Sequence, residues 1–312
     1  MSKLLSQISP LKLTFGGASL SGEGRGYGFG DISKEQSQAL LQYAFERGIK
    51  IYDTAPIYGF RTSEQRIGAA FKKNREKVFI VSKCGVSWHD NLRVNMSNDP
   101  KIVIKMLETT LKDLASSYVD LYMIHWPDKN VDVRVTMEVL SKAKRQGKIK
   151  HIGLCNTNLD EINKACEVDN IEVIQSELNL FNRKVVHELF KDIKETKRSF
   201  MSWGTLDKGI LTGHAHPKRR YDASDLRSFA PWWKKSNLDF KFKKYEALTS
   251  VFKEYHLTGA QLAIGHNLMY DEVDQVIVGM RTEEQLEEVL QSLQTQIPTE
   301  AIVKAISIID DE

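Results

Sequence analysis

Eight short runs rich in β-branched and aromatic residues recur along the 312-residue chain, each followed by a stretch with helical spacing. They fall at 11–15, 49–52, 78–82, 119–124, 151–154, 172–175, 200–203 and 275–278. Several are continuously apolar instead of alternating, as expected for parallel strands covered on both faces. Between them, 35–47 sets Ala39, Leu40, Tyr43 and Ala44 on one helical face, with Gly48 as the stop. Pro100 opens a second helix with Ile104, Leu107, Leu111 and Leu114 at helical spacing. Asn158 or Asp160, Arg183 and Thr282 are suitable starts for three more. Strand and helix alternating eight times, with right-handed crossovers, close into a (β/α)8 TIM barrel more naturally than they lay out an open sheet. The rival, a doubly wound sheet, calls for a glycine fingerprint after the first strand, and Phe15-Gly16-Gly17-Ala18-Ser19 does not match it.

No composition break marks a second domain, so residues 1–312 read as a single barrel domain. Charge is nearly balanced, 44 basic against 41 acidic residues, which points to neither a nucleic-acid nor a membrane partner. Cys84, Cys155 and Cys166 are too few and too scattered for a disulfide framework or a zinc site, so no metal is expected. Reduced thiols, with no long apolar segment, fit a cytoplasmic protein. One stretch breaks the rhythm: 214–242 is long, basic and aromatic, and reads as a loop at the C-terminal face of the barrel. Its Lys218, Arg219 and Arg220 leave two readings open, a solvated surface or an attraction for an anionic ligand.

Barrel enzymes carry their chemistry at the C-terminal strand ends. There the sequence places Asp53, Tyr58 five residues on, Lys83 and His125. Such a set makes sense as acid–base machinery. A tyrosine titrates near 10, an adjacent ammonium favours its phenolate, a carboxylate holds the lysine, and an imidazole binds a carbonyl oxygen. Singly, each has a plainer account as a turn cap, rim residue, solvated charge or core histidine.

The stretch Asp53–Gly59 resembles the D-T-A-x-x-Y-G segment of the aldo-keto reductase superfamily, and Tyr118–His125 resembles its D-Y-V-D-L-Y-x-x-H segment, with Ser117 in place of the first Asp. The resemblance implies that Asp53, Tyr58, Lys83 and His125 form the catalytic tetrad. Tyr58 would be the general acid, with its pKa depressed by Lys83. It further implies that Asn156 and Gln175 hold a nicotinamide carboxamide, on which Trp203 stacks. Gly204, Leu206 and Gly209 belong to the cofactor segment after strand seven. Gly279, Arg281, Gln285 and Glu288 resemble an adenosine-phosphate site. Arg281, at a helix start that favours an anion, is the reason to expect NADP(H) over NAD(H). Cys155 replaces a usual Ser, and Val289 stands where an adenine-contacting Asn is common.

The expected activity is reversible hydride transfer between NADP(H) and an aldehyde, ketone or sugar alcohol. Trp88, Trp126, Trp232 and Trp233 are candidates for the substrate wall. The segment 87–99, with His89 and Asp90, is expected to be a substrate-side loop. Two other classes stand beside this reading: a cofactor-binding, redox-sensing regulatory subunit with little turnover, and a barrel hydrolase or lyase that uses no nicotinamide.

Overall fold

A computed structural model describes residues 3–22 and 27–311. Eight parallel strands close into a barrel: β1 (Leu13–Gly16), β2 (Ile51–Asp53), β3 (Phe79–Cys84), β4 (Val119–Ile124), β5 (Ile149–Cys155), β6 (Val173–Glu177), β7 (Ser199–Trp203) and β8 (Gln275–Val278), with β8 pairing back onto β1. All eight expected runs are strands, displaced by at most two residues at either end. Parallel pairing needs a crossover after each strand, and helices supply most of these.

Helix Lys34–Glu46 begins with a capping box between Ser33 and Gln36, and Gly48 follows its end at φ +88°. Asn158 and Thr282 cap their helices with side-chain oxygens, as expected, whereas Arg183 precedes its helix without a side-chain cap. Two apolar faces differ from the expectation. Ala39 and Ile104 are exposed, while Ser37 and Val103 are buried instead. Leu40, Ala44, Leu107 and Leu114 are buried as expected, so each buried stripe is displaced only in part.

Within the barrel the period-two alternation of a strand decides everything. Ile51, Phe79, Val81, Leu121, Met123, Val173 and Met201 meet in one interior cluster. Tyr52, Ile80, Tyr122, Ile174 and Phe200 point outward into the main core beneath the helices. A short helix, Leu4–Ile8, closes the N-terminal end. Leu5 is fully buried against the interior cluster, and its N–H donates to Ser199 Oγ at 3.0 Å.

Two expected loops carry structure. The segment 87–99 lies largely in a hairpin, Val86–Trp88 paired antiparallel with Val94–Met96. The stretch 214–242 contains helices Leu226–Phe229 and Pro231–Lys234 and the start of Leu238–Ala247. It has its own apolar cluster of Ile210, Ala215, Leu226, Ala230 and Trp233, which is enough to fold a segment that reads as irregular.

Candidate active site

Continuing each interior series by two residues builds the site. Ile51 leads to Asp53, Val81 to Lys83, Met123 to His125, Gly153 to Cys155, Val173 to Gln175 and Met201 to Trp203. Alternation therefore delivers all six to the lumen side at the C-terminal rim.

Lys83 is fully buried, and its Nζ donates to both Asp53 oxygens at 2.7 Å and to Thr54 O at 3.0 Å. Burial opposes that ammonium, but the Asp53 carboxylate outweighs it and holds the lysine above its ordinary range. The ammonium lies 5.3 Å from the Tyr58 ring centroid. The Tyr58 and His125 rings meet edge to face at 6.0 Å. Burial and then Lys83 hold the His125 imidazole well below its usual range, so it is neutral at neutral pH.

The Tyr58 phenol differs from the expectation of a depressed pKa. Burial is the larger influence, and although Lys83 pulls the other way the phenol is pushed up to about 12. The chain thus holds a proton donor and not a standing phenolate.

The two carboxamides expected to grip a nicotinamide are already set in a network. Gln175 Nε2 donates to Asp53 Oδ2 at 2.9 Å, and Cys155 Sγ donates to Gln175 Oε1 at 3.3 Å. Asn156, at φ +54°, donates to His125 O at 3.0 Å and to Cys155 Sγ at 3.2 Å. Its Oδ1 accepts from Trp203 Nε1 at 3.0 Å, which fixes the half-buried indole at the rim. A flat aromatic face beside two carboxamides suits a nicotinamide amide ring. The link from Gln175 to Asp53 was not foreseen, because only closure of the barrel brings β6 opposite β2.

Beyond Trp203 the chain turns through Gly204, at φ +71°, into Asp207, Lys208 and Gly209, all left-handed. Asp207 is fully buried and binds Lys208 Nζ at 3.2 Å and Lys241 Nζ at 2.7 Å, while Lys208 also meets Glu177 at 2.9 Å. Leu206 packs its side chain between two apolar clusters, so what it offers a cofactor is backbone.

At the other side of the rim, Gly16 and Gly279 bring the ends of β1 and β8 together. A Cβ on Gly16 would sit 3.0 Å from Gly279 N. The Arg281 guanidinium rests against Gly30, which has φ +99° and where a Cβ would come within 2.7 Å of Nη1. It makes no side-chain hydrogen bond among the described residues. It lies near Arg227, Asp225, Arg219 and Asp31, and burial followed by Arg227 lowers its pKa. Gln285 Oε1 accepts from Arg281 N–H at 2.8 Å, just before helix Glu283–Gln294. A free guanidinium at a helix N-terminus fits the phosphates of a dinucleotide. Glu288 is exposed on that helix, and Val289 is buried in the main core, where its side chain faces other apolar residues.

The four tryptophans proposed for the substrate wall separate. Trp88 packs on Phe60 at 4.8 Å beside Tyr58, in a cluster that includes Tyr27 and Val94. Trp126, directly after His125, is 39% exposed, and Trp232 is 40% exposed with Lys208 Nζ 5.7 Å from its ring. Trp233 is 3% exposed in the cluster of the 214–242 segment and faces Tyr221, so it supports that segment and offers no wall. Arg219 donates to His214 O at 2.8 Å, while Lys218 and Arg220 are exposed. Among the described residues no group of three His, Cys, Asp or Glu is placed to hold a metal. No helix among them is long and apolar enough to cross a membrane.

A family model described as the aldo/keto reductase family matches residues 12–310. Aldo-keto reductase YhdN of Bacillus subtilis (strain 168) is 32% identical over 219 residues; the match spans 70% of this chain but less than two thirds, 65%, of that protein. The NADH-specific methylglyoxal reductase of Escherichia coli (strain K12) is 27% identical over 274 residues, 83% of each chain. Among solved structures, the glycerol dehydrogenase of Gluconobacter oxydans superposes with a TM-score of 0.80 at 24% identity, covering 96% of this chain and 90% of that one, a likeness of fold. A match that runs nearly the length of a barrel with this rim leaves one conclusion: the chain belongs to the aldo/keto reductase family, oxidoreductases that act on carbonyls with nicotinamide cofactors.

Proposed function

We propose that this chain catalyses reversible hydride transfer between NADP(H) and an aldehyde or ketone, or the corresponding alcohol or sugar alcohol. The observation that carries the reading is the buried Lys83–Asp53 pair with Tyr58 and His125 ranged over it. When bound, the nicotinamide supplies or accepts the hydride, with Trp203, Asn156 and Gln175 as the residues to hold it. Tyr58 gives its proton to the substrate oxygen in reduction. Lys83 stabilises the phenolate left behind, and Asp53 keeps Lys83 charged and fixed. The neutral His125 donates its ring N–H to the same oxygen and orients the carbonyl. In oxidation the proton returns along the same route.

Support for NADP(H) comes from the Arg281 guanidinium, which has no side-chain acceptor among the described residues and stands with Arg219 and Arg227 as well as Asp225 and Asp31 nearby. Trp88, Phe60, Trp126 and Trp232 give the mouth flat apolar faces for substrate. Tyr58→Phe is expected to lower turnover by about 10²–10⁴-fold while leaving cofactor affinity unchanged. Tryptophan fluorescence titrated with NADPH and NADH, followed by steady-state rates on a carbonyl panel, tests both halves. Near-normal turnover in the Phe variant overturns the role of Tyr58. Absence of binding by either nucleotide overturns the whole reading.

A further inference from the structure

Behind Lys83, on the outer face of the barrel wall, lies a carboxyl that hydride transfer does not use. Glu64 is fully buried at the third position of helix Thr62–Phe71. Its Oε1 accepts from Ser82 Oγ at 2.6 Å. Its Oε2 has no hydrogen bond of good geometry among the described residues, and the Thr110 and Tyr122 hydroxyls lie beside it. A buried carboxylate held by a single donor is costly, whereas a neutral acid in the same place is not.

The groups facing Glu64 do little to favour a charge. β3 contributes Ser82, and β4 contributes Tyr122, with Cys84 behind it. Helix Pro100–Asp113 contributes Thr110 and the Asp113 carboxylate. Arg61, the cation acting on Glu64 among the described residues, is committed to Asp113, with Nη2 to Oδ1 at 2.6 Å. Burial dominates, with the Ser82 and Thr110 hydroxyls opposing it, and the Glu64 carboxyl is raised to about 7.

The same turn joins the two halves of the proton-donating pair. Tyr58 O accepts from Ser63 N–H at 3.2 Å. Ser63 Oγ accepts from Thr54 Oγ1 at 2.8 Å and donates to Gly17 O at 2.9 Å. Glu64, the next residue, is tied to Ser82, the residue before Lys83, and Thr54 O in turn accepts from Lys83 Nζ. Two routes therefore lead from the phenol's backbone to its cation, one through Ser63 and Thr54 and one through Glu64 and Ser82.

Resting on the oxidoreductase reading, we propose that Glu64 is a positioning residue: its neutral carboxyl clamps the turn that carries Tyr58 to the strand that carries Lys83, and its ionisation loosens that clamp. Once charged, the carboxylate is repelled by Asp113 and gains by reaching water, which draws the helix start away from Ser82. The phenol and ammonium then lose their alignment while Trp126 and Trp232, outside that turn, keep their part of the substrate wall, so kcat responds more than KM.

Wild type, Glu64→Gln and Glu64→Ala are compared from about pH 5 to about pH 9, a range in which a carboxyl raised to about 7 changes charge. Two readouts are followed: carbonyl-reduction kinetics, and the ring-carbon NMR signal of Tyr58 in tyrosine-labelled protein, assigned by its loss in Tyr58→Phe. Glu64→Ala is expected to lower kcat by about tenfold to a hundredfold, with KM within about twofold, and Glu64→Gln to restore most of it. Wild-type kcat should fall as pH rises through the ionisation, and the Tyr58 signal should move with it. Glu64→Gln, which cannot ionise, should show neither change. A folded Glu64→Ala protein with unaltered kcat overturns the proposal. So do matching pH profiles and matching Tyr58 signals in wild type and Glu64→Gln. If Glu64→Ala does not fold, the Gln comparison decides alone. If wild type reduces no carbonyl, the oxidoreductase reading fails separately and the Tyr58 signal still decides the role of Glu64.

Discussion

The floor and the rim of the barrel are made by the same strands, two residues apart, and are held by different forces. At the floor, Ile51, Val81, Leu121, Met123, Val173 and Met201 interdigitate above Leu5, and not one carries a charge. At the rim, Asp53, Lys83, Gln175, Cys155, Asn156 and Trp203 form one chain of hydrogen bonds around a single ion pair. Apolar packing at the floor depends on volume and is indifferent to pH. The rim depends on protonation and on direction, since its hydrogen bonds are linked from one side chain to the next. One backbone pattern thus supplies a rigid base and a charged site, and the two should respond differently to substitution.

The largest effect is expected at the rim. Lys83→Met should lower turnover by about 10³-fold or more, because the phenolate loses its cation. It should also destabilise by about 3–5 kcal/mol, since Asp53 stays buried without its partner. Urea unfolding beside steady-state rates measures both, and full stability with lost turnover would break the view that the ion pair holds the rim. Next comes the floor. Leu121→Ala should cost about 2–5 kcal/mol, yet leave the kcat of the folded protein within about twofold of wild type. A large drop in kcat would show that floor packing sets the rim geometry. The smallest effect is at the phosphate end. Arg281→Gln should weaken NADPH by about tenfold to a hundredfold and hardly touch NADH, measured by fluorescence titration. Equal losses for the two nucleotides would remove the preference for NADP(H).

Much of this was legible from residue order. The strands carry β-branched runs, and Asp53, Lys83 and His125 stand at or directly after strand ends, so their convergence follows from closing a barrel. The 214–242 segment was not legible as helical. Its helices are four residues long at Leu226–Phe229 and Pro231–Lys234, too short for periodicity to register. They are held by packing and by Arg227, which pairs with Asp225 and donates to Lys208 O at 2.8 Å. Trp233 reads like its neighbour Trp232, and only the fold buries one and exposes the other. Glu64 carried a weak signal, an acid in the first turn of a helix, where it is ordinarily a solvated complement to the helix dipole.

The sequence by itself determined the strand count and the alternation that sends Asp53, Lys83, His125, Gln175 and Trp203 to one mouth, because those follow from local periodicity and residue type, and it carried the family in the motifs Asp53–Gly59 and Tyr118–His125. The tertiary structure alone decided which of these groups are charged. The neutral His125, the protonated Tyr58 and the raised carboxyl of Glu64 all result from burial and from neighbours distant in the chain. Desolvation is a property of the surrounding volume, and a residue's own segment does not specify what fills it.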